Sequence, residues 1–127
     1  MLNRFPPILP ALLWTTLLTV LLCLPGEKIP SGGLLNIPHL DKPVHFILFG
    51  ILTIAWCYFI WKKMTATPAS IQTFYTISFL SLVYGVIMEF VQANFIPHRS
   101  FDYWDIVADA IGSIAGGWWS TRRYIKK

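Results

Sequence analysis

Residues 71–95 read IQTFYTISFLSLVYGVIMEFVQANF, a run in which Glu89 is the only carboxylate and no Lys or Arg occurs. At about 1.5 Å per residue such a run spans the ~30 Å of bilayer hydrocarbon as a helix. Three further apolar runs follow the same rule, about 8–24, 44–61 and 104–121. None alternates with period two, and a membrane barrel needs many more segments than four. The reading is an all-α integral membrane protein, a bundle of four transmembrane helices forming one domain over residues 1–127. The first run has one feature of a cleaved signal, Arg4 ahead of an apolar stretch. Leu21-Leu22-Cys23 lacks the small residue expected before a lipid-modified cysteine, no A-x-A follows, and Ser31-Gly32-Gly33 is a weak cleavage site. An uncleaved first helix is expected.

Composition points the same way. In 127 residues, 55% are hydrophobic and 13% charged, about half the charged share of soluble domains. That excludes a disordered chain, a coiled coil and a disulfide-framed miniprotein. Ten Lys+Arg against six Asp+Glu give a net +4, and the placement of the cations explains it. Arg4, Lys62, Lys63, Arg122, Arg123, Lys126 and Lys127 lie at the two termini and the second loop, against Lys28, Lys42 and Arg99 in the other loops. The positive-inside rule then predicts both termini in the cytoplasm. Trp61, Trp118, Trp119 and Tyr124 fall at the inner interface and Tyr103 and Trp104 at the outer one, where aromatic belts form. The basic charge is a topology signal, and no nucleic-acid partner is expected.

All six acids, Glu27, Asp41, Glu89, Asp102, Asp105 and Asp109, take the opposite half. Acidic residues contribute little to orientation, so a polar site at the outer face is the expected cause. Asp102, Asp105, Asp109, Gly112 and Gly116 recur along one stripe of the fourth helix. Gly112 and Gly116 form a G-x-x-x-G seam of the kind that lets helices approach closely, including those of a homo-oligomer. The third helix carries a matching stripe of Ser78, Ser81, Gly85, Glu89 and Gln92. Glu89 and Asp109 each sit ~10 Å below the outer interface, where a charge facing lipid costs up to ~2.5–3.5 kcal/mol. They are expected to face each other or water. Cys23 and Cys57 differ by ~20 Å in depth, too far for a disulfide.

The second helix opens on Asp41, a plausible N-cap, and places His45 one turn inside. Arg99, in Pro97-His98-Arg99-Ser100, offers a guanidinium to the acids or to a phosphate. The candidate ligand-binding set is therefore Lys42, His45, Glu89, Gln92, Arg99, Asp105 and Asp109, with Glu89, His45 and Asp105 as candidate catalytic groups. Plain structural roles compete with each: caps for Asp41 and Asp102, an interhelical hydrogen bond for Gln92, a satisfied interfacial histidine for His45, and an ion-pair staple for the acids with Arg99 and Lys42. No H-E-x-x-H or comparable metal spacing occurs, which leaves Asp105 and Asp109 as weak metal candidates, and no cofactor is expected.

Taken together, D-K-P-V-H-F (41–46), G-x-x-x-E-x-x-Q (85–92), P-H-R (97–99) and D-I-V-A-D-A-I-G (105–112) with Gly116 resemble the VanZ-like family over roughly Asp41 to Gly117. The family often carries asparagine at the position of Asp109. The resemblance implies a small multi-spanning protein of the bacterial cytoplasmic (inner) membrane, in a family named for a member linked to glycopeptide (teicoplanin) resistance. Most relatives lie outside resistance clusters, so a general envelope role is implied. The expected function is binding of a lipid-linked or anionic envelope headgroup, such as a cell-wall precursor or glycolipid, at an outward-facing polar cavity. One rival is an intramembrane hydrolase or transferase on such a lipid, with Glu89 or His45 as general base and Asp105 and Asp109 holding a metal. A second is a proton-coupled carrier using Glu89 and Asp109. Whether anything is turned over is left open by the sequence.

Overall fold

The structure, a computed structural model, describes residues 6–23, 41–64, 70–96, 101 and 103–125, without the side chains of Asp41 and Lys42. These residues form α1 (Ile8–Leu22), α2 (Asp41–Lys63), α3 (Ile71–Phe95) and α4 (Tyr103–Ser120), followed by a π-helical turn, Thr121–Ile125. No strand occurs among them. Local chemistry explains several ends. Ser70 accepts a hydrogen bond from the Thr73 amide and starts α3, as a serine cap does. Pro43 lies in the first turn of α2, where its missing N–H costs nothing, and Lys62 and Lys63 close that helix at its negative end.

Two stretches, Pro43–Lys63 and Ile71–Phe95, are long and apolar enough to cross a membrane. The first helix is shorter than the span read from the sequence: its 15 residues extend about 22 Å. At 18 residues α4 reaches about 27 Å, and its mean apolarity is lowered by Asp105, Asp109 and its glycines, all of which point inward.

The radial distribution of polarity is inverted relative to a water-soluble bundle. Phe79 is 63% exposed and Leu80 58%, with Leu13, Ile87, Ile111 and Ile114 also outward, whereas Glu89 is 2% exposed and Asp109 1%. Exposed large apolar faces combined with buried polar groups are the informative deviations from ordinary packing. They suit hydrocarbon surroundings.

Contact between α2 and α4 is the most extensive in the fold. The two run parallel, with Phe46 against Gly112 and Gly50 against Gly116. A Cβ on Gly112 would overlap the Phe46 carbonyl, and one on Gly116 would lie 2.6 Å from the Gly50 oxygen. Along this seam Gly112 and Gly116 meet α2 of the same chain, because only glycine lets the two backbones come this close. Between α3 and α4 the register is antiparallel, with Gly85 opposite Asp109 and Gly117 opposite Ser78.

At the end bearing the basic residues, Trp61 stacks on Tyr124 at 4.7 Å, and Trp119 meets the same ring edge-on at 6.0 Å. Lys62 lies over Trp61 and Arg122 over Trp118, both at 5.2 Å. Four side-chain hydrogen bonds attach α1 to the bundle. Trp14 Nε1 donates to the Leu48 oxygen (3.0 Å) and Trp56 Nε1 to Thr15 Oγ1 (2.9 Å). Thr19 and Tyr84 share a 2.5 Å hydroxyl bond, and Gln92 Nε2 donates to the Leu22 oxygen (2.9 Å). Both cysteines are free.

Candidate functional site

The N-terminal ends of α2 and α4 and the C-terminal end of α3 converge on His45. This ring is one turn into α2, and Asp105 and Asp109 are one turn apart on α4, so both carboxylates lie on the face turned to it. Asp109 Oδ1 accepts from His45 Nδ1 at 2.8 Å, and Asp105 Oδ2 stands 3.8 Å from His45 Nε2. A carboxylate can only accept, so the Nδ1 bond places the ring proton there and turns Nε2 toward Asp105. Continuing the α3–α4 register puts Glu89 level with Asp105 and Ser81 level with Ser113.

Two residues shape the pocket around the pair. Phe49, one turn below His45, lies parallel to the imidazole with centroids 6.3 Å apart. Gly85 has to be glycine: an added Cβ would be 2.8 Å from Asp109 Oδ2 and 3.0 Å from the Phe49 ring. Accessibility falls from Asp105 (13% of its side chain) through His45 (9%) to Asp109 (2%). The cluster is thus most accessible on the Asp105 and Nε2 side, and Asp109 is its most deeply buried member.

Five sequence candidates, His45, Glu89, Gln92, Asp105 and Asp109, are thus buried on the inner faces of these helices. Gln92 sits apart in function, since its amide donor is committed to the end of α1. Lys42 belongs to the first turn of α2, but its side chain lies outside the described residues, as do Arg99, Asp102 and His98. The capping expectation for the Asp41 side chain also falls outside them. Among the described residues no three His, Cys, Asp or Glu side chains are grouped so as to hold a metal ion, and one oxygen of Asp109 is taken by His45. Sequence reasoning missed Phe49 and the Thr19–Tyr84 pair. The available signal was Phe49 at i+4 from His45, hence on the same face.

One turn below Asp109, Ser113 is 1% exposed, and its hydroxyl has no hydrogen-bond partner among the described residues. A buried unsatisfied hydroxyl costs about 1–3 kcal/mol. Ser113→Ala is therefore expected to raise the stability of the bundle by about 1 kcal/mol, read as a higher melting temperature in detergent. A lower one would mean that a bound water completes the hydroxyl's bonding.

Among known proteins, the family model described as VanZ/LLP1 matches residues 8–122. Neither the curated proteins nor the solved structures gave a match.

Proposed function

The chain belongs to the VanZ/LLP1 family, and from that premise we propose that it is a four-span cell-envelope protein that binds the polar headgroup of a lipid-linked envelope molecule. In this reading both termini face the cytoplasm of a bacterial cell, and the cluster opens toward the outer leaflet of the inner membrane. The observation that carries it is the burial of His45, Glu89, Asp105 and Asp109 in one cluster inside a bundle whose outer faces are apolar. Desolvating several ionisable groups is costly, and apolar packing would hold the helices together without that cost. His45 Nε2 and Asp105 make the headgroup's hydrogen bonds, Asp109 fixes the ring, and Lys42 and Arg99 meet its anionic part. Withholding such a lipid from, or presenting it to, envelope-directed glycopeptides of the teicoplanin type would then change susceptibility.

Native mass spectrometry of protein extracted gently from its own membrane tests this, with a Glu89→Gln/Arg99→Ala double variant alongside. The expected result is a copurifying lipid-linked species in the wild type that is lost in the variant. Equal spectra from two equally stable proteins would overturn the proposal and leave the acids as staples.

A second reading has one specific observation behind it, the 2.8 Å Asp109–His45 bond. A carboxylate that orients an imidazole is the arrangement of a general base, and it would suit hydrolysis or group transfer on the same lipid.

A further inference from the structure

Below the cluster, α1, α2 and α3 enclose a groove of ≈ 320 Å³ lined by Thr15, Leu52, Trp56, Ile60, Leu80 and Tyr84, among others. We propose that this groove is a binding site for a single hydrocarbon chain of a membrane lipid, the chain subsite of the molecule whose headgroup meets His45. The link to that molecule rests on the function proposed above; the occupancy of the groove does not.

Three observations carry the inference. First, the lining is mostly apolar: of its polar side chains, those of Thr15, Trp56 and Tyr84 are already engaged, and Ser81 adds a single hydroxyl. Trp56 Nε1 donates to Thr15 Oγ1, Thr15 Oγ1 donates to the Ala11 oxygen, and the Tyr84 hydroxyl is bonded to Thr19. Water needs 2–4 polar partners to be held in a buried site, and this lining offers too few. Apolar matter is the fitting occupant, and the space takes on the order of ten water-sized groups.

Second, the mouth opens onto hydrocarbon. Leu80 lies on the rim and is mostly exposed beside Phe79 on the outward face of α3. The outer end of the α1–α3 seam is shut by the Thr19–Tyr84 and Gln92–Leu22 bonds. A chain therefore enters sideways, past Leu80, from the lipid phase.

Third, the groove adjoins the polar cluster across two packed rings. Tyr84 forms its outer wall and packs on Phe49 at 5.9 Å, and Phe49 lies parallel to His45. Leu52 and Ile60 lie about 10 and 22 Å below His45 along α2, so a chain from a headgroup held at His45 runs inward past the Tyr84 partition and fills the groove where it passes the bilayer midplane. The opposite face carries a second apolar groove, of ≈ 350 Å³. The groove between α2 and α4, along Gly50, Gly112 and Gly116, is the more open of the two and has no such wall in common with the cluster's ring stack.

Photolabelling tests the site. The protein is reconstituted in vesicles of phosphatidylethanolamine and phosphatidylglycerol, the latter carrying a diazirine midway along one acyl chain, and the labelled residues are mapped by mass spectrometry. The expected map concentrates several-fold on Leu52, Trp56, Ile60 and Leu80 over Leu13, Phe79 and Ile87, which face lipid outside the groove. In Leu80→Trp, where the indole fills the mouth, the groove label falls several-fold. In Ile87→Trp, away from the groove on the same helix, it persists. A wild-type map spread evenly over the outward faces overturns the proposal without reference to any variant. Label that persists in the groove of Glu89→Gln, with the lipid-linked species lost from the same protein, places the headgroup contact at the cluster and leaves the chain site intact. Groove label in a wild type that copurifies no such species keeps the chain site and rejects the headgroup reading.

Discussion

Gly112→Ala is expected to destabilise the bundle by about 3 kcal/mol, the upper end of the cost of overpacking. The added methyl would meet the carbonyl oxygen, carbonyl carbon and Cα of Phe46. All three are backbone atoms inside a helix, so no rotamer change relieves the overlap and α2 must move away from α4. The graded series along this seam makes the test specific. Gly116→Ala places its Cβ 2.6 Å from the Gly50 oxygen and is expected to cost less, whereas Gly50→Ala approaches the Gly112 oxygen only to 3.4 Å and is expected to be nearly silent. Thermal unfolding of the three variants in detergent checks the order, and equal melting temperatures for Gly112→Ala and Gly50→Ala would refute it. The effect also reaches the site. His45 directly precedes Phe46, and Asp109 lies three residues before Gly112, so separating the helices at the seam lengthens the 2.8 Å bond between them.

That coupling of seam to site was half legible in the sequence. The α4 stripe is visible as a period because Asp105, Asp109, Gly112 and Gly116 repeat at helical spacing. The α3 stripe is visible for the same reason, and Ser78, Ser81, Gly85, Glu89 and Gln92 are indeed all buried. Periodicity identifies a face, however, and not what the face meets. Gly112 reads equally well as a surface for a second copy or for α2, since close approach requires glycine in both cases. Only the register, with Gly50 supplying the matching backbone, decides it. The His45–Asp109 contact joins residues 64 positions apart, and no local spacing encodes such a pair. The attachment of α1 was invisible for another reason. Trp14, Thr15, Thr19 and Trp56 are unremarkable in an apolar run, and they become informative only when their polar atoms need partners away from water. All four helices were read from the sequence as apolar runs, although α4 turns carboxylates and glycines to its inner face and is less apolar on average for it.

Replacing Asp109 separates what the buried acid does for the fold from what it does for the ligand. Asp109→Leu removes the only acceptor shown for His45 Nδ1 and leaves a polar ring atom in a dry interior. Removing one partner of a buried pair costs about 3–5 kcal/mol, so this variant is expected to express poorly and to melt far below the wild type. Asp109→Asn keeps the shape and one acceptor oxygen, and it fits beside Gly85 as the carboxylate does. Its fold is expected to survive, with a loss of about 1 kcal/mol from exchanging a charge-assisted hydrogen bond for a neutral one. The two functional readings then diverge. If the cluster binds a headgroup, the ring needs only to be oriented, and Asp109→Asn retains the copurifying lipid. If His45 is a general base, the negative charge that stabilises the protonated ring is lost, and turnover falls by roughly 10²–10⁴-fold. Retention is the expected result, because Asp105 still stands beside the ring and the ligand-facing atom in the proposed reading is Nε2, which the substitution does not touch. A folded Asp109→Asn protein stripped of lipid would contradict the headgroup reading and shift the weight of the cluster from recognition to proton transfer.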